Sequence, residues 1–224
     1  MKRTKLKDRI LPPYTRGEEI TNMVTHIVGG ALGIVALVLC VVKAALNFDV
    51  YGVVSCSIFG FTMIVLYTMS SIYHGLKPHL TAKRVFQIID HCSIFLLIAG
   101  TYTPISLCAI REQSVALGWV VFGVIWGLTA IGVTFNSIDI KAFSKLSMTG
   151  YIIMGWLVIF TIKQVAMSIG FNGMVFLALG GIAYTIGAVL YGVGKKKKYM
   201  HSVFHVFTVI GSLLHFFCIF FYII

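Results

Sequence analysis

His201 and His205 are four positions apart, so on a helix they share one face and present two imidazoles side by side. His74 ends a different apolar stretch and offers a third imidazole. Three protein nitrogens with a fourth position open to water is the catalytic arrangement of zinc. A carboxylate beside such a site can take a proton from that water, as the non-ligand glutamate does in metalloproteases. Asp90 is the candidate, either in that part or as a direct fourth ligand. Ser70 precedes His74 by four residues and shares its face. It can hydrogen-bond the reacting group, or merely bond back to its own helix carbonyl. Taken alone, the HxxxH pair reads more readily as two interfacial histidines facing water or headgroups.

The elements that must position these residues are set by composition. The chain has 224 residues, of which 58% are apolar and 11% charged, with a mean hydropathy of +0.95. Soluble domains carry about 45–50% apolar and about 25% charged residues. A soluble enzyme, a disordered chain and a nucleic-acid binder are therefore set aside. The net charge of +11 does not revive nucleic acid, because the basic residues sit in short runs between long apolar stretches. A membrane-crossing helix needs about 20 apolar residues. Seven stretches qualify, at about 22–46, 51–76, 85–108, 116–135, 148–168, 173–193 and 201–224. The predicted fold is an all-α integral membrane protein with seven transmembrane helices. It comprises a basic N-terminal segment, 1–21, and a seven-helix domain, 22–224. No cleavable signal peptide is expected. The five cysteines all lie in apolar stretches and form no CxxC pair, so they read as small packing residues.

Charge orients the bundle. The N-terminal segment and the second, fourth and sixth connections hold fifteen of the eighteen Lys and Arg residues. The opposite side has only Lys43, Arg111 and Lys163. The positive-inside rule then puts the N-terminus in the cytoplasm and the C-terminus outside. In that orientation His74, Asp90, His201 and His205 come from three helices to the cytoplasmic leaflet. Ionisable residues in membrane spans are functional candidates by default. Glu19, Asn22 and His26 recur at helical spacing on the first helix. They read either as capping and helix packing or as a shell that orients the histidines. His79 reads as solvent-facing, His91 as rotated about 100° from Asp90, and His215 as near mid-membrane. All three are left out of the site.

These residues resemble a known family. Glu19-Ile20-Thr21-Asn22-Met23-Val24-Thr25-His26 looks like its opening ExxNxxTH motif, and Ser70-Ser71-Ile72-Tyr73-His74 like its SSxxH motif. Asp90-His91 and His201-Ser202-Val203-Phe204-His205 match the rest. The chain is similar to the hemolysin III family of bacterial membrane proteins, which belongs with the progestin and adipoQ receptors, including the adiponectin receptors. Alkaline ceramidases are more remote. The resemblance implies seven helices with a cytoplasmic N-terminus. It implies zinc held by His74, His201 and His205, with a water bridging to Asp90 and Ser70 close by. It also implies a cell-membrane location in a bacterium. The adiponectin-receptor branch is associated with ceramide hydrolysis, and the bacterial branch with lysis of red cells and membrane-lipid homeostasis. The long N-terminal domain of the animal receptors has no counterpart here, so hormone binding is not expected.

Three functions follow as expectations. The first is a zinc-dependent hydrolase acting on a membrane lipid amide or ester, ceramidase-like, with Asp90 and Ser70 as catalytic residues. The second is a cytolysin that forms a pore, which needs a polar face continuous across the bilayer. The third is a non-enzymatic membrane sensor or regulator with structural zinc, which a closed four-ligand shell would favour. The expected partners are a membrane lipid and a zinc ion. Nucleic acid is not expected, and the oligomeric state is left open.

Overall fold

The computed structural model describes residues 4–47, 49–193 and 197–224. Lys2, Arg3, Lys195 and Lys196, counted above for orientation, lie outside the described residues. The described chain is helical, with no strand among the described residues. After a short 3-10 turn at Leu6–Asp8 come α1 (Arg16–Leu46), α2 (Val50–Gly75) and α3 (Thr81–Pro104). Helical turns at Ile105–Ile110 and Arg111–Gln113 extend α3. They are followed by α4 (Val115–Trp156), a 3-10 turn at Leu157–Thr161, α5 (Ile162–Val193) and α6 (Met200–Cys218).

Five helical runs are long and apolar enough to cross a membrane: Arg16–Leu46, Val50–Gly75, Thr81–Gln113, Val115–Gly192 and Met200–Ile223. The fourth is 78 residues long but is not one rod. Asp139 has extended backbone inside it, and Gly170 takes a φ of +64°. The connection expected between 135 and 148 is thus reduced to a single residue. The cause is local. Asp139 Oδ1 accepts from the backbone N–H groups of Lys141 and Ala142, so it caps the helix that follows it at once. Gly170 takes the left-handed region without a Cβ penalty, and an added Cβ there would meet open space.

The helix starts also differ from the hydropathy limits. α1 begins at Arg16 because Thr15 and Glu18 form a capping box. The Glu18 carboxylate takes the Thr15 N–H at 2.9 Å and, through its other oxygen, the Tyr199 N–H at 2.7 Å. One acidic side chain therefore ties the start of α1 to the start of α6, two residues before His201.

α1 packs on α2 and α6, α2 on α3, α3 on α4, and α5 on α6. Large apolar side chains cover the outside: Ile34 is 55% exposed, Val38 52% and Phe61 63%. Such a surface suits lipid rather than water. Close approach of α1 and α2 depends on Gly29, where a Cβ would stand 2.6 Å from the Tyr67 ring. Tyr67 is fully buried, and its hydroxyl lies 2.7 Å from Ser212 Oγ and 3.1 Å from the Thr208 carbonyl of α6. Gly29→Ala is expected to cost about 1–3 kcal/mol through overpacking. Thermal unfolding in detergent checks this, and an unchanged Tm would mean that α1 and α2 can separate without loss.

Candidate metal centre

His74 stands at the end of α2, and His201 and His205 on the first turns of α6. One ligand atom from each of the three falls within 4.8 Å of the other two. His201 Nε2 is 3.3 Å from His74 Nε2 and 3.0 Å from His205 Nε2. His74 and His205 are buried, and His201 is half-buried. The converging group among the described residues contains these three histidines and no carboxylate.

Their neighbours decide which nitrogens face inward. The Glu19 carboxylate lies 2.6 Å from His74 Nδ1, and because it can only accept, it holds that nitrogen as N–H. The Asn22 carbonyl lies 3.2 Å from His205 Nδ1 and acts in the same way. In these two the Nε2 is then left as a lone pair, and both face His201 Nε2, whose own Nδ1 has no hydrogen-bond partner. At these distances His201 Nε2 either carries a proton between them or joins them around a cation. Tetrahedral ligands at about 2.1 Å from zinc are about 3.4 Å apart, close to the two separations found. The donor set therefore fits a divalent ion of the zinc type, with the outer partners that orient such ligands already in place.

The polar residues of α1 fall where their spacing put them. Glu19 holds His74. Asn22 is fully buried, accepts from Ser202 Oγ at 2.5 Å through its side chain, and holds His205 through its carbonyl. His26 stacks on His205 with ring centroids 3.6 Å apart and 13° between planes, and neither of its nitrogens has a partner. Ser70 Oγ is buried and has no hydrogen-bond partner, so the bond back to its own helix carbonyl is not made. Asp90 is half-buried and lines the same cavity as Ser70, His26, His201 and His205. His79 is exposed, as expected, whereas His91 and His215 border the cavity.

That cavity has a volume of about 540 Å³. It runs from the histidines along Leu66, Ile94, Leu97 and Ile98 to Ile105 and Leu177. One end is ionisable, and the walls beyond it are mostly apolar, with Tyr102, Tyr184, Thr185 and His215 among them.

Two residues at the centre escaped the sequence reading. Lys83 was counted as a loop charge, yet it is only 2% exposed. Its Nζ donates to the Tyr73 and Leu76 carbonyls at the end of α2 and pairs with Glu19 at 2.8 Å. It thus neutralises the carboxylate that holds His74. The signal available was its place seven residues before Asp90, on the same face of α3. Tyr14, the one aromatic of the N-terminal segment, lies nearly parallel to His201 with ring centroids 5.0 Å apart. Burial first, then the Tyr191 and Tyr73 phenols and the Asp90 and Glu19 carboxylates, push its hydroxyl well above the usual tyrosine range. It stays neutral and covers the histidines. Lys83→Met should weaken metal affinity about 10–100-fold, as loss of an outer partner does. Competition with a chromogenic chelator measures this. Unaltered affinity would leave Lys83 a cap for α2 and nothing more.

The family model described as Haemolysin-III related matches residues 14–216. This chain belongs to the haemolysin III family. It is 37% identical to Hemolysin-3 of Bacillus cereus over 207 residues, covering 92% of each chain. It is 38% identical to a Hemolysin-3 homolog of Bacillus subtilis (strain 168) over 209 residues, 93% of this chain and 96% of that one. The human Monocyte to macrophage differentiation factor is 23% identical over 211 residues, 92% of this chain and 84% of its own length. With its apolar helical runs, this haemolysin III protein is a multi-pass protein of the cell membrane.

Proposed function

We propose that this haemolysin III protein is a zinc-dependent hydrolase of a membrane-lipid amide or ester, serving membrane-lipid homeostasis. The carrying observation is one site in which three imidazole nitrogens converge beside a mostly apolar cavity, with an unpartnered serine and a carboxylate lining it. His74, His201 and His205 would hold the ion. A zinc ion there supplies Lewis acidity, polarising a carbonyl and making a water easier to deprotonate.

The chain supplies the rest. Glu19, backed by Lys83, and the Asn22 carbonyl fix the two imidazole orientations, with His26 stacked behind His205. Asp90 Oδ receives the proton of the attacking water and returns it to the leaving amine or alcohol. Ser70 Oγ–H donates to the reacting carbonyl oxygen, which would give that buried hydroxyl a partner. The walls from Leu66 to Leu177 hold the acyl chain and keep water from it. Absence of a carboxylate from the converging group supports an open position and Asp90 as base.

Seven crossings belong to the same proposal. The backbone breaks at Asp139 and Gly170 divide the 78-residue run into three lengths, which with the other four runs make seven. The cytoplasmic N-terminus is carried by the basic-residue asymmetry. The name of the Bacillus cereus relative raises lysis, but a pore needs a continuous polar face. Here the cavity walls turn mostly apolar beyond the histidines. The test is release of free fatty acid from lipid amides and esters by purified protein loaded with zinc, read by mass spectrometry. Release above a metal-stripped control is expected. No release from either class, with zinc bound, overturns the hydrolase.

A further inference from the structure

His215 is not part of the metal centre. It lies ten residues beyond His205 on α6, about 15 Å along the helix axis. Its ring is seated against α5, where Gly180 leaves the room: a Cβ there would stand 2.2 Å from the imidazole. Nε2 donates to the Leu177 carbonyl at 3.1 Å, which can only accept. The tautomer is thereby set, and Nδ1 carries a lone pair. That nitrogen is buried and has no hydrogen-bond partner. The ring borders the same cavity as the histidine cluster, at its apolar end.

An acceptor left unsatisfied in an apolar interior is costly, so it is kept where something meets it. A trapped water serves poorly, because a buried water needs two to four polar partners. The neighbouring Tyr184 hydroxyl lies 2.6 Å from Ser212 Oγ and is not a hydrogen-bond partner of Nδ1. No described residue donates to Nδ1, so its donor is what fills the cavity beside it. We infer that His215 is a specificity determinant that accepts a hydrogen bond from a hydroxyl on the lipid chain, about 15 Å from the reacting headgroup. An all-staggered chain reaches that depth at about its twelfth carbon. The site therefore selects acyl chains hydroxylated in mid-chain over plain ones. This rests on the reading that an acyl chain fills the cavity, but not on hydrolysis.

The test is equilibrium binding of tritiated 12-hydroxystearic acid to the full-length protein in detergent. Unlabelled stearic, 2-hydroxystearic and 12-hydroxystearic acids serve as competitors. Wild type is expected to prefer the 12-hydroxy acid over stearic acid about tenfold, the worth of one buried hydrogen bond. The 2-hydroxy acid should show no gain from His215. In His215→Leu the preference should vanish while stearic acid still binds. His215→Gln, which keeps an acceptor, should retain part of it and covers the case in which the leucine variant does not fold. Equal affinity for the 12-hydroxy and plain acids in wild type, or a preference that survives His215→Leu, overturns the role of His215 and leaves the lipid cavity standing. Failure of all three acids to bind wild type overturns the lipid cavity as well.

Discussion

His205→Ala is expected to strip the purified protein of metal, from about one ion per chain to below a tenth. A metal held by three imidazoles loses a third of its protein ligands, and no fourth group among the described residues joins the converging set. The Asn22 group nearest His205 is a backbone carbonyl, already turned to Nδ1. His26 lies nearly parallel to the lost ring, 3.6 Å away, and no nitrogen of it belongs to the converging set. Loss of an outer partner costs about 10–100-fold in affinity, and loss of a ligand should exceed that. His74→Ala and His201→Ala should behave alike. His26→Ala should keep its ion, because no nitrogen of His26 belongs to the converging set. Elemental analysis after mild detergent extraction reads the result, with Tm measured on each variant to separate loss of metal from loss of fold. An ion that survives in the histidine variants lies somewhere else. A wild type that is folded and never carries metal would make the three histidines a polar packing cluster.

The residue types of this centre were legible because helical spacing is legible. His201 and His205 share a face at any tertiary arrangement, and Glu19, Asn22 and His26 do so on α1. What could not be read was who meets whom. The Lys83–Glu19–His74 chain joins three helices, and Lys83 in a sequence looks like any loop cation. Asn22 holds His205 through its carbonyl, an atom every residue carries, so its identity gave no hint of that role. The seating of His215 depends on Gly180 and on the Leu177 carbonyl, thirty-eight residues away in sequence. In the fold, long apolar stretches marked the membrane helices, but hydropathy cannot tell a loop from a single capping residue. The polar stretch around Asp139 therefore read as a connection of many residues, whereas one side chain restarts the helix.

Asp90→Asn is expected to lower turnover about 10²–10⁴-fold, the usual worth of a positioned base, with the ion retained. The amide has nearly the same shape but cannot hold the proton of an attacking water. The carboxylate lies outside the group of three converging histidines, so its loss is expected to remove no ligand. It lines the cavity with Ser70, at the end where a lipid headgroup must stop. Ser70→Ala removes only a neutral hydrogen bond to the reacting carbonyl, and a loss of about tenfold is expected there. Fatty-acid release and metal content measured on the same preparations distinguish the two readings of Asp90. Turnover lost with metal kept makes Asp90 the base beside an open coordination position. Metal and turnover lost together make it a fourth ligand. The shell would then be closed, the ion structural, and a regulator a better account of this family member than an enzyme.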